Sequence, residues 1–317
     1  MAVPADRAAA RKSFMSRSLA ALLLLLCALL WGMAFIAQKG AMQHMQPLTF
    51  SFVRYFIGAF LVTPLAIREY RRVRRSGVVI TTSQWWRIAI LSLAFFLGVW
   101  LQQTALVTTT ATNGGFITSL YVILTPIVTY LTLRTRPHPI VYLGAPLALL
   151  GIYLLTGADV SQLTAGEIML LFGAVCWAVQ VSLLGRLVEE TGLPITISTI
   201  NFFATAILAM VGAFAFEHPE INGITAGWIP LLYSAVFSTG VAFTLQAVGQ
   251  QYVPSANAAI ILSSESLFAA LGGALLLGER LPPVGYAGAA IIFFAIVLVE
   301  AVPAWRARRT TTSPGSA

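Results

Sequence analysis

Residues 18–38 read SLAALLLLLCALLWGMAFIAQ, a run without one charged side chain. As a helix rising about 1.5 Å per residue, such a run covers about 30 Å, the thickness of a bilayer's hydrocarbon core. Basic residues stand before it: Arg7, Arg11, Lys12 and Arg17. That order imitates a secretory leader, but the apolar stretch continues through Trp31 to Ala37, beyond the usual leader core of about 7–15 residues. The segment is therefore expected to be retained as a first membrane span.

Working outward, nine more apolar runs follow, at about 48–67, 85–106, 112–133, 140–156, 166–186, 194–216, 227–247, 256–277 and 283–302. The fifth and eighth are the weakest, being short or interrupted by Gly and Pro. Composition agrees with this reading. Hydrophobic residues make up 58% of the 317 positions, charged residues only 9%, and the mean hydropathy is +0.85. A soluble chain carries about a quarter charged residues to cover its surface, so most of this exterior must face lipid. The expected fold class is an all-α membrane protein of ten transmembrane helices.

The net charge of +8 is a topology signal rather than a nucleic-acid footprint. With a cytoplasmic N-terminus, the inner segments hold Arg17, Arg68, Arg71, Arg72, Arg74, Arg75, Arg87, Arg134, Arg136, Arg186, Arg306, Arg308 and Arg309, while the outer ones keep only Lys39 and Arg280. Arg68 to Arg75 read as one basic loop. Both termini are expected in the cytoplasm of a cell with the chain in its plasma or inner membrane. The two cysteines, Cys27 and Cys176, lie in apolar runs and read as small core residues.

A shift of 144 residues superposes the third to fifth runs on the eighth to tenth: Gln102 falls on Gln246, Asn113 on Asn257, Ser119 on Ser263, Pro139 on Pro283 and Tyr142 on Tyr286. Earlier, Trp31 corresponds to Trp177 and Pro47 to Pro194. Two five-helix halves, 18–156 and 166–302, are expected between short tails at 1–17 and 303–317. An odd number of spans per half forces the copies into opposite orientations, the inverted-repeat arrangement of many secondary transporters.

Several stretches then resemble the drug/metabolite transporter superfamily, specifically proteins with two EamA-type repeats. They are Leu30-Trp31-Gly32 with Lys39, Phe52-Val53-Arg54-Tyr55-Phe56, Thr110 to Ile117 through Pro126, Tyr252-Val253-Pro254-Ser255-Ala256 leading to Glu265, and Leu277-Gly278-Glu279-Arg280-Leu281. The sequence departs from the family pattern at Ser266, where Pro is usual, and at Leu133 to Arg136. The resemblance implies passage of small metabolites, amino acids among them, through a cavity between the repeats by alternating access, with export favoured over uptake.

Glu265 is the sharpest candidate for the site, an acid about nine residues into the ninth run. An intramembrane carboxylate is costly and is normally paired, protonated or turned to a water-filled cavity. It could bind a cationic group or carry a proton; a protonated, purely structural Glu is the equal alternative. Arg54 could hold a substrate carboxylate or snorkel. Gln102 and Gln246, with Gln38 and Gln180, could line the cavity or tie helices together. Asn113 and Asn257 could bind solute, with helix capping the simpler account. Trp31, Trp177, Trp100 and Tyr121 could form aromatic walls, or simply pack; Lys39 reads as snorkelling.

No catalytic or metal-binding residue is expected. His44, His138 and His218 fall in different connections, and no HExxH, GxSxG or phosphate loop occurs. No cofactor is expected, and the partners are a small-molecule solute and the bilayer, with a coupling proton and a second copy of the chain as open alternatives; no nucleic acid is expected. A lipid scramblase or a membrane-embedded lipid-modifying enzyme is the rival function.

Overall fold

The computed structural model describes residues 15–134, 136–156, 164–276 and 283–311, and among them every regular element is helical. The Leu277 to Leu281 stretch that carries part of the family resemblance, Arg280 included, and both tail ends lie outside the described residues. In chain order the helices are α1 (Arg17–Ala41), α2 (Pro47–Arg75), α3 (Thr82–Thr108), α4 (Ala111–Thr118 continuing as Tyr121–Leu133), α5 (Val141–Thr156), α6 (Ala165–Thr191) and α7 (Pro194–Phe216). After the short helix Ile221–Ala226 come α8 (Trp228–Gly249), α9 (Ser255–Leu262 continuing as Glu265–Leu276) and α10 (Pro283–Thr311). Eight of these are long and apolar enough to cross a membrane. The apolar stretches of α5 and α10 (Val141–Leu154 and Pro283–Val299) are shorter.

Local chemistry sets the helix ends. Thr81 and Thr164 open α3 and α6 with capping boxes completed by Gln84 and Glu167. Pro47 and Pro194 sit at the first positions of α2 and α7, where a missing N–H costs nothing. Gly192, at φ +66°, closes α6 in the left-handed conformation that glycine adopts freely. The basic segment Arg68 to Arg75, expected as a loop, is the last two turns of α2. Arg and Glu are good helix formers, and a helix leaving the bilayer has no reason to stop at the hydrophobic boundary.

Two pairings organise the bundle as near mirror statements of one rule. Helix α2 packs on α7 and α5 on α10, while α1 contacts α8 and α9 as α6 contacts α3 and α4. The α2–α7 pair is antiparallel and fastened at both ends. Glu217, just beyond α7, accepts from Leu48 N (2.8 Å), Thr49 N (2.7 Å) and Thr49 Oγ1 (2.7 Å) at the start of α2. Glu69, near the end of α2, accepts from Ile195 N (3.3 Å), Thr196 N (2.7 Å) and Thr196 Oγ1 (2.8 Å) at the start of α7. Each carboxylate thus takes up orphan N–H groups of the partner helix and faces the positive end of its dipole.

At one end of the bundle a single apolar cluster gathers Val73 at the end of α2, Ile88 at the start of α3, Leu187 and Val188 at the end of α6, and Leu193 before α7. Arg87 and Arg186 both bind Glu190 there, at 2.7 and 2.6 Å. This is the basic end of the molecule.

The breaks in α4 and α9 occur at matching places. Ser119-Leu120 interrupts α4 and Ser263-Ser264 interrupts α9, 144 residues later. Hydroxyls turn back on the preceding turn: Ser119 Oγ to Gly115 O (2.8 Å), Ser263 Oγ to Ile260 O (2.8 Å) and Ser264 Oγ to Ile261 O (2.7 Å). Such back-bonding bends a helix, and the backbone there uses tighter i to i−3 bonds, as from Val122 N to Ser119 O. The eighth run, expected to be interrupted, contains instead a π-helical stretch, Ser234–Phe243.

Candidate functional site

The breaks carry Tyr121 and Glu265 to the centre, each being the first residue of the second segment of its helix. Both line a buried cavity of about 40 Å³, room for roughly three waters. The other walls come from α1 (Trp31, Phe35, Gln38), α2 (Arg54, Tyr55), α3 (Val99, Gln102), α6 (Trp177, Gln180, Val181) and α8 (Ser238, Phe243, Gln246), with Thr118 from α4.

Glycines let the backbones close on this point. A methyl group on Gly32 would stand 2.6 Å from the carbonyl oxygen of Glu265 and 2.8 Å from Ala269 N, so α1 rests directly on the backbone of α9 at the break. A methyl group on Gly58 would stand 2.6 Å from Thr239 Cγ2, so α2 lies equally close to the π-helical stretch of α8. Small residues at helix crossings serve the same end throughout membrane bundles.

Arg54 is 4% exposed and reaches α8: its Nε donates to Thr239 Oγ1 (2.8 Å) and one terminal nitrogen to Ser238 Oγ (2.9 Å). The guanidinium carbon also lies 5.0 Å from the centre of the Tyr55 ring, within cation–π range. The wide turn of the π segment presents both hydroxyls to one guanidinium, and such turns are frequent at functional sites. Among the described residues Arg54 has no carboxylate partner; the ion pairs found are those of Glu190.

Glu265 is 3% exposed, and its Oε1 is buried without a hydrogen-bond partner. The hydroxyls of Tyr55 and Tyr121 are in the same condition. The Tyr121 hydroxyl lies near the Glu265 carboxyl and the Tyr55 hydroxyl near Thr239, none of them in full hydrogen-bond geometry, so polar groups with unspent bonding capacity gather around one cavity.

Amides and indoles complete the walls. Gln180 and Gln246 exchange two hydrogen bonds of 3.1 Å, and Gln102 donates to Gln38 Oε1 at 3.3 Å. Trp177 Nε1 donates to Gln102 Oε1 (3.0 Å), and Trp31 Nε1 to Ser238 O (3.2 Å). Phe243 sits between the two indoles, 4.5 Å from Trp31 and 6.0 Å from Trp177 by ring centres. The aromatic rings give a solute apolar contact beside the charged groups.

Of the sequence candidates, Glu265, Trp31, Trp177, Arg54, Gln102, Gln246 and Tyr121 meet in this cavity. Asn113 and Asn257 do not. Asn113 Nδ2 donates to Glu167 Oε1 (3.0 Å) and Asn257 Nδ2 to Val299 O (2.9 Å). Nor do they cap: Thr110 and Pro254 occupy the N-cap positions. Trp100 is 39% exposed and stacks on Phe96 at the surface. Lys39 does not simply snorkel, since its Nζ binds Leu106 O (2.7 Å) and Val107 O (3.1 Å) at the end of α3, where cations suit the helix dipole. Sequence reasoning missed Tyr55, Ser238 and Phe243. Adjacency to Arg54 could have pointed to Tyr55; nothing in the sequence marks Ser238, because a π turn has no composition of its own.

Three comparisons bear on this arrangement. The EamA-like transporter family profile matches residues 18–157 and again 164–301. An uncharacterized transporter of Archaeoglobus fulgidus is 35% identical over 281 residues, covering 87% of this chain and 84% of the relative. The threonine/homoserine exporter RhtA of Escherichia coli is 30% identical over 155 residues, so the match spans 46% of this chain and half of that protein. A solved crystal structure superposes with a TM-score of 0.72 over 89% of this chain and 96% of its own, at 18% identity, a likeness of fold alone.

Proposed function

Because this chain belongs to the EamA-like transporter family and is a multi-pass membrane transporter, we propose that it exports small zwitterionic metabolites of the amino-acid class. One observation carries the reading. Arg54 and Glu265 line the same buried cavity, and neither has a partner of opposite charge among the described residues. A buried cation and a buried acid lining one space, with two tyrosines in the same wall, complement a solute with a carboxylate at one end and an ammonium at the other. The aromatic cluster would contact the aliphatic portion. The name of RhtA, a threonine/homoserine exporter, points the same way over the half of the chain it matches.

Passage from one side of the membrane to the other requires the helices around the cavity to part on each side in turn. Alternating access of two inverted five-helix repeats supplies that movement. The start of α1 and the end of α6 approach the same end of the bundle: Gly249, at the end of α8, packs on Ala20 and Leu24, and Gln251 donates to Val188 O. Trp31 and Trp177, matching residues of the two copies, therefore stand on oppositely directed helices. The reciprocal α2–α7 caps support the same reading. On it, ten spans cross a plasma or inner membrane, the basic end lies in the cytoplasm, and the termini are there too. Glu265 is the residue for a coupling proton to occupy when no ammonium group is present.

The test is flux from proteoliposomes holding the purified protein, with labelled threonine, its amine analogue lacking the carboxylate, and the hydroxy acid lacking the ammonium. Saturable flux of the zwitterion above both analogues is expected. Flux of the analogues at the zwitterion's rate, or movement of labelled phospholipid in place of solute, would overturn the reading.

A further inference from the structure

A second and larger depression, about 730 Å³, opens on the outer surface at the basic end, between the last turns of α2 and the first turns of α7. On α2 its wall is the stripe Thr63, Ile67, Arg71 and Arg74, spaced so that all share one helix face, with Arg75 beside them. On α7 it is Thr196, Thr199, Ile200 and Phe203. Trp85, from the start of α3, closes the top and is 49% exposed. From Thr63 to Arg75 the groove runs about 18 Å along the helix axis, apolar at one end and basic at the other.

The groove's arginines have no carboxylate beside them in its lining among the described residues. Glu69, two residues before Arg71 in sequence, is buried and has both oxygens occupied by the N-terminal groups of α7. Glu190 is taken by Arg87 and Arg186. Among the described residues no carboxylate lines the groove.

We propose that this groove is a binding site for an anionic phospholipid, its phosphate held by Arg71 and Arg74 and its acyl chain lying over Ile67 and Phe203. The polarity gradient matches one molecule: arginine forks suit phosphate, Trp85 sits where aromatic rings favour the headgroup level, and the apolar stretch continues toward the membrane interior. A free inorganic anion would use the arginines but leave the apolar half unexplained. Basic pockets between membrane helices recur as anionic headgroup sites. The site does not depend on which solute the central cavity takes.

Native mass spectrometry of the purified full chain, titrated with phosphatidylglycerol or phosphatidylcholine of equal chain length, tests the proposal. At least about tenfold preferential retention of phosphatidylglycerol is expected, a difference of about 1.4 kcal/mol. Arg71→Gln with Arg74→Gln should abolish the preference. Arg68→Gln with Arg72→Gln removes equal charge from the same turns outside the groove and should keep it. Ile67→Glu, which sets a carboxylate at an exposed position four residues before Arg71, should lower the preference by itself if either double variant fails to fold. Equal retention of the two lipids by the wild type, equal loss in both double variants, or displacement of lipid by equimolar inorganic phosphate would overturn it.

Discussion

Tyr121 and Glu265 occupy the same position of two sequence copies, 144 residues apart, and they meet side by side in the wall of one cavity. Each begins the second segment of a helix broken by serine-containing turns. The repeat has placed a phenol in one copy and a carboxylic acid in the other. A pair of identical acids there would repel; the phenol–acid combination leaves one ionisable carboxylate at the centre.

Replacing that carboxylate should stop function without unfolding the chain. Glu265→Gln keeps shape and hydrogen-bonding capacity, so thermal stability in detergent should stay near wild type. Solute flux in proteoliposomes should fall at least about tenfold, the scale of one lost charge-assisted hydrogen bond. Undiminished flux would remove Glu265 from the site. Tyr121→Phe should give a smaller loss, because it removes a neutral hydroxyl beside the Glu265 carboxyl and no ionisable acid.

Arg54 should discriminate by the solute's carboxylate. Arg54→Lys preserves the charge but loses the fork that spans Thr239 and Ser238. The KM for amino acids should rise about tenfold or more, corresponding to roughly 1.5–3 kcal/mol, with little change for an amine lacking a carboxylate. An equal loss for both solutes would assign Arg54 to the scaffold.

Gly32 should tolerate no side chain. Its missing Cβ would fall 2.5 Å from Phe268 Cβ and 2.6 Å from a backbone carbonyl, and a backbone cannot swing away as a side-chain tip can. Gly32→Ala should cost about 1–3 kcal/mol of stability, read as a lowered melting temperature, and it should displace Glu265 with it. Gly40→Ala, where the added methyl meets nothing within 4 Å, is the control and should be neutral or slightly stabilising.

The two acidic clamps should prove equivalent. Glu69→Gln and Glu217→Gln each weaken charge-assisted bonds to N–H groups at a helix start, and each should lower stability by about 0.5–2 kcal/mol. A large effect at one and none at the other, in matched thermal melts, would show that the ends of the α2–α7 pair are not fastened alike.

Eight of the ten expected runs fall on helices long and apolar enough to cross a membrane, because burial in lipid demands long charge-free stretches, and the two copies were legible because Asn, Gln, Trp and Pro are rare enough in such runs to align. Seven of the nine site candidates share the cavity because intramembrane polar and aromatic residues have few other places to go. Asn113 and Asn257 lie outside this cavity, with their side chains donating to Glu167 and to Val299 O. The helix breaks and the π turn were not legible, since serine occurs in unbroken membrane helices too. The clamps could have been read from Pro47-Leu48-Thr49 and Pro194-Ile195-Thr196, two Pro-x-Thr starts whose orphan donors call for an acid elsewhere.

Those clamps also limit how the molecule can work. Two rods lashed at both ends can tilt together but cannot slide, because a slip of one turn, about 5.4 Å, would tear every donor at Thr49 and Thr196 from its carboxylate. The α2–α7 pair is thus a fixed axle. On the proposed alternating access, rearrangement would fall to the broken helices α4 and α9, with Arg54 held on the axle and Glu265 carried by α9.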